Sequence, residues 1–356
     1  MKYLKIYKLL FFIGALLVFN ACSDDDAELG PAPVAGLSVS SESILLEGEE
    51  ITFINESTGG RSYFWSFGDG TTTYGQSVTH TYAEPGDYAV TLEASANGQR
   101  DVTSINITIE ALQFELYFIN NDALEVQKIN LNTPDVVTSV FDAPGFGIGL
   151  AYDSENDELY YSDDDNFIIY KNSISGGNET IIADGFDGPR DMALDVANNR
   201  LFVNEKFLHE VVEVDLTNGN KSTIFSSADN ADFQRPEGID IYNDKLFMTA
   251  VEIDAETVWT GETDGSGLER IIDYSAGGYG YAIEIDKINE KIYFDDFDTG
   301  SLLRSDLDGG NIEVIGSSSD EVYGIAINNT TGKVYWVSVD GVLKEADLDG
   351  SNEKVL

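Results

Sequence analysis

Six times after residue 115 the chain repeats one short phrase: two bulky residues, mostly aromatic, then two that are mostly small, polar or acidic. The copies are Tyr117-Phe118-Ile119-Asn120, Tyr160-Tyr161-Ser162-Asp163, Phe202-Val203-Asn204-Glu205, Phe247-Met248-Thr249-Ala250, Tyr293-Phe294-Asp295-Asp296 and Tyr335-Trp336-Val337-Ser338, and successive copies start 42–46 residues apart. A period near 40–45 residues made of short strands is the pattern of a β-propeller with one blade per repeat. It constrains the architecture of two-thirds of the chain and leaves the chemistry open, because propellers host binding, scaffolding and catalysis alike.

The columns around the phrase sharpen this expectation. Seven residues before the first aromatic stand Asp153, Asp195 and Asp286; the fourth repeat runs two residues short and brings Tyr242 to that place. One and three residues before this column are Tyr152, Leu194, Ile241, Ile285, Ile327 and Leu150, Met192, Ile239, Ile283, Ile325, all bulky. Two and four residues before it are Ala151, Ala193, Asp240, Glu284, Ala326 and Gly149, Asp191, Gly238, Ala282, Gly324, all small or acidic. Period two marks strands with two unlike faces. As innermost strands of the blades they would pack the bulky face inside the stack and turn the small face to a central channel. With Asp-Leu-Asp-Gly turns at Asp306 and Asp347, the pattern resembles the YWTD repeats of the low-density-lipoprotein receptor family. The resemblance implies a six-bladed propeller over residues 112–356. In that family the Thr and Asp of the phrase knit neighbouring blades together, so part of that network must be replaced here. Five inner strands are clear; the sixth falls on Ile105–Ile109, which the preceding domain also needs.

That domain, residues 34–111, reads as short strands between turns. Trp65-Ser66-Phe67-Gly68-Asp69-Gly70, and Val78-Thr79-His80-Thr81-Tyr82 running through Pro85-Gly86-Asp87 into Tyr88-Ala89-Val90-Thr91-Leu92, closely resemble the polycystic-kidney-disease (PKD) domain. This implies an immunoglobulin-like β-sandwich with a structural His80 and a spacing or accessory-binding role. The fold class is therefore all-β, a sandwich followed by a propeller.

The N-terminus carries a targeting pattern. Lys2, Lys5 and Lys8 precede an apolar run from Leu9 to Val18, too short to span a bilayer as a mature helix. It leads into Ala21-Cys22, the single cysteine of the chain. This resembles a bacterial lipobox, although Phe19 and Asn20 depart from its usual residues, and implies a signal peptide over residues 1–21 with lipidation at Cys22. Ser23-Asp24-Asp25-Asp26 resembles the surface-export signal of Bacteroidota lipoproteins, at the start of an acidic tether over residues 22–33. The expected location is the outer membrane, facing outward, with the membrane reached through the lipid alone. A net charge of −44 repels phosphate backbones and excludes nucleic-acid binding.

Binding residues in propellers commonly sit at the channel mouth. The residues entering each inner strand are Ile148, Arg190, Glu237, Tyr281 and Tyr323, and the loops leading there carry Phe146, Phe186, Phe233, Arg235 and Tyr279. Rings with Arg and Glu suit an extracellular glycan or protein. Asp191, Asp240 and Glu284 could gather calcium through oxygen ligands. With two histidines, His80 and His209, one per domain, a histidine-rich metal site or a Ser-His-Asp triad is disfavoured. The expected function is a monomeric, non-enzymatic surface binding module. The alternatives are a hydrolase or lyase using Asp240 and Glu284 on carbohydrate or lactone, and a surface-layer component.

Overall fold

The structure, a computed structural model, describes residues 30–40, 44–177, 179–252, 255–275 and 280–356. The chain divides into two compact units, Met1–Leu112 and Gln113–Leu356. Cys22 and Tyr279 lie outside the described residues.

The first unit is a two-sheet sandwich. One sheet joins Leu37–Val39, Glu50–Asn55 and Val78–Thr81; the other orders Leu45–Leu46, Gln99–Glu110, Gly86–Ala96, Ser62–Ser66 and Thr72–Tyr74. Between them lie Phe53, Trp65, Phe67, Tyr82, Val90 and Leu92, all essentially buried. Each polar atom carried by the core rings finds a partner, as burial requires: Trp65 Nε1 donates to the Gly75 carbonyl at 3.0 Å and Tyr82 Oη to the Phe67 carbonyl at 2.9 Å. His80 is a structural residue, stacked on Phe67 at 4.0 Å with Nε2 2.7 Å from Asp69 Oδ2.

The second unit is six antiparallel sheets in sequence order, the blades of a propeller. Blades 2 to 6 have four strands each. Their inner strands are Leu150–Asp153, Pro189–Asp195, Pro236–Tyr242, Ile283–Asp286 and Val322–Asn328, and the aromatic phrase lies on the second strand of each of these five blades. Blade 1 has three strands, Glu115–Asn120, Glu125–Asn130 and Val137–Asp142. The segment that could have completed it belongs to the sandwich, where Gln99–Glu110 pairs along the whole of Gly86–Ala96 and Ile109 also pairs with Leu45.

The acidic column caps the connection from first to second strand. Asp153 Oδ1 accepts from the amides of Glu155 and Asn156, and Asp286 Oδ1 from those of Ile288 and Asn289, the local turn chemistry that Asp favours. Blade 4 makes this connection with two residues, Asn243 and Asp244, both left-handed at φ 51° and 60°. That tight turn matches strand twist and shortens the repeat.

The small face of the inner strands corrects one expectation. It packs on the next blade rather than lining the channel. Ala151 joins Met192, Leu201 and Val203 of blade 3 in one cluster, and Ala193 joins Ile239 and Met248 of blade 4 in another. A Cβ on Gly238 would run into the Tyr281 carbonyl oxygen, and one on Gly149 into the Arg190 carbonyl oxygen. Consecutive inner strands thus approach too closely for a side chain on one of them. Gly238→Val is expected to forfeit several kcal/mol by overpacking a backbone contact, read as a lost cooperative unfolding transition; a melting temperature within a few degrees of wild type would contradict the close approach.

The third residue of the aromatic phrase stitches the blades. Thr249 Oγ1 accepts from Gly238 N in its own blade at 2.8 Å and donates to the Tyr281 carbonyl of the next at 3.2 Å. Asn204 Nδ2 donates across to the Gly238 carbonyl at 3.0 Å. Asp295 Oδ1 accepts from Tyr281 N and Ala282 N at 2.9 and 2.8 Å, and the Asp295 carboxylate takes a further backbone bond from Val322 of blade 6. Ser162 Oγ serves Ile148 N and Gly149 N within blade 2. One repeat position therefore knits blades through Asn204, Thr249 and Asp295, whereas blades 1 and 6 carry Ile119 and Val337 there.

Candidate functional site at the channel mouth

Four of the residues expected at the mouth come together. Arg190, Glu237 and Tyr323 each sit where the inner strand slips register against the second strand, at breaks spanning Pro189 to Met192, Pro236 to Ile239 and Val322 to Gly324. A bulge re-aims a side chain that regular pleating would send into a neighbouring blade. Arg190 Nε stands 2.9 Å from Glu237 Oε2, and Lys206 Nζ 2.7 Å from Glu237 Oε1. The Lys206 ammonium also lies 5.9 Å from the centre of the Tyr281 ring. That ring stacks on Tyr323 at 4.8 Å with an interplanar angle of 14°, and Tyr323 Oη donates to Glu321 Oε2 at 3.2 Å.

The charges are held out of water. The side chains of Glu237, Lys206 and Arg190 are 2%, 8% and 13% exposed. Burial pushes the Glu237 carboxyl up although Arg190 and Lys206 pull it down, and burial pushes Lys206 down although Glu237 opposes this. For both partners desolvation outweighs pairing. Arg190 Nε and Glu237 Oε1 are held in these ion pairs, and Asp164 Oδ1 is buried with no hydrogen-bond partner among the described residues. Burial raises the Asp164 carboxyl as well, with Arg190 and Lys206 acting against it. Tyr323 is 39% exposed and gives the site its open aromatic face.

Other expected residues are elsewhere. Phe186 and Phe233 are core residues, 5% and 0% exposed, packed in the blade 2–3 and blade 3–4 clusters. Phe233 meets Trp259 edge-on and Phe186 lies under the Lys221 ammonium, so neither is within reach of a ligand. Phe146 is exposed on the rim. Ile148 is half-buried and its amide is bound to Ser162 Oγ. Arg235 is left-handed at φ 50°, donates its amide to His209 Nδ1 at 2.9 Å, and acts electrostatically on Glu237 and Lys206.

Asp191, Asp240 and Glu284 are not gathered into a metal cluster. Among the described residues no three His, Cys, Asp or Glu side chains stand so as to hold an ion. Asp191 Oδ2 accepts from Ile239 N of the following blade at 3.1 Å, and Asp240 Oδ2 from Ile285 N at 2.9 Å while its Oδ1 takes Lys287 Nζ at 3.1 Å. Two of the three acids thus satisfy amides on the free edges of inner strands, groups that would otherwise go unpaired. Enclosure by protein raises the Asp191 carboxyl to about 7, and burial with Asp240 beside it holds Glu284 well above the ordinary range.

Lys206 and Asp164 were missed from the sequence. Both occupy the place immediately after the four-residue phrase, a repeat column that also holds Asn121, Val251, Phe297 and Val339. Their charge in an otherwise mixed column was the available signal.

Comparison with known proteins fits this architecture. Residues 31–110 match the PKD domain family. The vitellogenin receptor of Solenopsis invicta is 23% identical over 237 residues, 65% of this chain and 13% of the receptor. The 3-hydroxyacyl-CoA dehydrogenase-like protein LAM1 of Cochliobolus heterostrophus is 28% identical over 118 residues, 28% of this chain and 25% of that protein. The chain thus spans a quarter or less of the length of these curated relatives. A chain in the crystal structure of the nidogen/laminin complex superposes with a TM-score of 0.60 at 17% identity, covering 68% of this chain and 93% of that one. At that identity the likeness concerns the fold.

Proposed function

We propose that this chain is a non-catalytic binding protein, displayed on the outer membrane through a lipid on Cys22, whose propeller mouth takes an extracellular protein. The observation that carries the reading is the Tyr281–Tyr323 stack standing beside the buried Arg190–Glu237–Lys206 cluster. An open ring face beside fixed charges makes a pre-organised recognition point. The similarity to the vitellogenin receptor supports a protein partner over a glycan. Against catalysis at the channel stands the engagement of Asp240, which holds Ile241 N, Ile285 N and Lys287 Nζ; beside it, Glu284 has no carboxylate partner left idle for acid–base work.

The test is binding of the mature chain to immobilised extracellular-matrix proteins and polysaccharides, wild type against Arg190→Ala/Tyr281→Ala/Tyr323→Ala. Loss of two central aromatics and an arginine is expected to weaken binding to a protein by a hundredfold or more, about 3 kcal/mol or above. Binding to polysaccharide alone, or protein binding untouched by the triple change, contradicts the proposal.

A further inference from the structure

The rim on blades 1 to 3 holds large apolar side chains in water. Leu124, Phe146, Phe167, Phe207 and Leu208 are 43%, 44%, 41%, 57% and 47% exposed. Four of them lie in the connections that follow the strand carrying the aromatic phrase, and Phe146 lies in the segment entering blade 2. Backbone and side-chain bonds join these loops into one surface. Asn121 and Gly147 exchange two bonds of 2.9 Å, Asp164 N donates to the Phe146 carbonyl, Phe186 N to that of Phe167, and Lys206 N to that of Gly188. The Phe207 ring lies over Gly188, where a Cβ would stand 2.6 Å from it. Isolated exposed apolar residues are ordinary, but a linked row of them marks a contact surface.

Backbone conformation adds a second observation. In four blades the last residue of the connection that follows the aromatic phrase is left-handed: Gly300 in blade 5 at φ 61°, but Leu124, Phe167 and His209 in blades 1 to 3 at φ 53°, 61° and 57°. Each carries the same carbonyl bond to the end of the fourth, or in blade 1 third, strand. Glycine takes this conformation without strain, whereas a bulky side chain does not. The His209 ring is engaged by the Arg235 amide, but Leu124 and Phe167 are exposed, and strain retained there points to a use for the side chain.

The charge around these residues sets the partner. Asp165, Asp184 and Asp187 are exposed among them, against the Lys221 cation, whose Nζ donates to the Gly185 carbonyl at 2.7 Å; Asp165 Oδ2 accepts from Phe146 N at 3.2 Å, and Asp184 pairs beside Phe167. We infer that this rim docks a cationic polypeptide segment carrying aliphatic or aromatic side chains, the apolar groups seated on the Phe and Leu residues and the cations on the aspartates. A second copy of this chain, with the same charge of −44, would be repelled. The inference rests on the binding reading above and places its contacts outside the channel mouth.

The test uses the mature chain and three fluorescent peptides, with alternating Lys/Phe, Lys/Ser and Glu/Phe. The Lys/Phe peptide is expected to bind, with Lys/Ser at least about tenfold weaker and Glu/Phe not detected. Binding should weaken severalfold from about 50 mM to about 500 mM salt. Phe167→Gly/Phe207→Ser should lose about tenfold in affinity, while Phe167→Gly alone should melt no lower than wild type because the left-handed turn is relieved. Equal binding of Lys/Ser, binding unaffected by the rim change, or no binding of any peptide overturns the inference. Loss in the Arg190/Tyr281/Tyr323 variant with the rim variant intact removes the rim and keeps the mouth; the reverse removes the mouth and keeps the rim.

Discussion

Glu237→Ala is expected to destabilise the protein by about 3–5 kcal/mol, because removing one partner strands buried charge. Glu237 is the only carboxylate in ion-pair contact with either Arg190 or Lys206 among the described residues. Its loss leaves a guanidinium and an ammonium facing each other, 13% and 8% exposed, with burial already acting against charge on Lys206. The companion Arg190→Met/Lys206→Met/Glu237→Leu variant should recover much of that loss, since a buried ion group often contributes less than well-packed apolar side chains of similar size. Urea denaturation measures both. A Glu237→Ala variant within about 1 kcal/mol of wild type, the range of an exposed pair, would mean that water reaches the cluster. The same pair of variants separates stability from recognition. The apolar triple, if folded, should fail to bind the partner at the mouth.

The second large effect concerns the seam between blades 4 and 5. Glu256 is fully buried, neither carboxyl oxygen has a hydrogen-bond partner among the described residues, and Asp295, Asp296 and Asp298 act on it with like charge. Desolvation first, then those three aspartates, raise the carboxyl from 4.5 to about 9. In the unfolded chain it ionises near its ordinary value, so between pH 4.5 and 9 the folded state keeps a proton that the unfolded state releases. Stability contributed by this group is therefore complete below pH 4.5 and is lost as pH rises towards 9, at up to about 1.4 kcal/mol per pH unit. Glu256→Gln keeps the shape and cannot ionise. It should gain on wild type by up to about that amount for each pH unit between roughly pH 5 and 8, with little difference at pH 5. Denaturation curves at both pH values decide the matter: parallel pH dependences in the two proteins would show that Glu256 is ionised or solvated when folded.

Much of the fold was legible because repetition averages out local ambiguity. One Tyr-Phe pair is any strand, but six at nearly constant spacing fix the second strand of six blades, and the Asp column fixes the turn before it. The sandwich was legible through Trp65, Phe67 and the turns at Gly68–Gly70, since core rings and left-handed glycines leave few alternatives. Ile105–Ile109 could not be assigned by pattern, because alternating Ile suits a sandwich strand as well as a blade's inner strand. Pairing decides it, and the long partner Gly86–Ala96 outcompetes the short Glu115–Asn120. The role of the small face was misread for a related reason. Period two says that the faces differ, but not that both face neighbouring blades, which follows only from how closely the sheets stack.

The site was legible in part. Arg190, Glu237, Tyr281 and Tyr323 share one repeat position, so symmetry alone brings them round one axis. Phe186 and Phe233 each stand four residues before a mouth residue, Arg190 and Glu237, yet a loop phenylalanine next to a gap between blades falls inward to fill it. Lys206 was hidden because its role depends on Glu237, 31 residues further on, through a contact no local pattern encodes. The carboxylates at Asp191 and Asp240 looked like ion ligands because the amides that occupy them belong to the next blade.

The central claim is that the propeller mouth is the surface on which a protein partner is bound. Amide hydrogen exchange on the complex with whichever matrix protein is captured tests it most directly. The account predicts protection concentrated at Pro189–Met192, Glu237–Ile239, Tyr281–Ala282 and Val322–Gly324, beyond that of the free protein, with the outer strands unchanged. Protection confined to the sandwich sheets or to the outer strands, with those four segments exchanging as in the free chain, would contradict it.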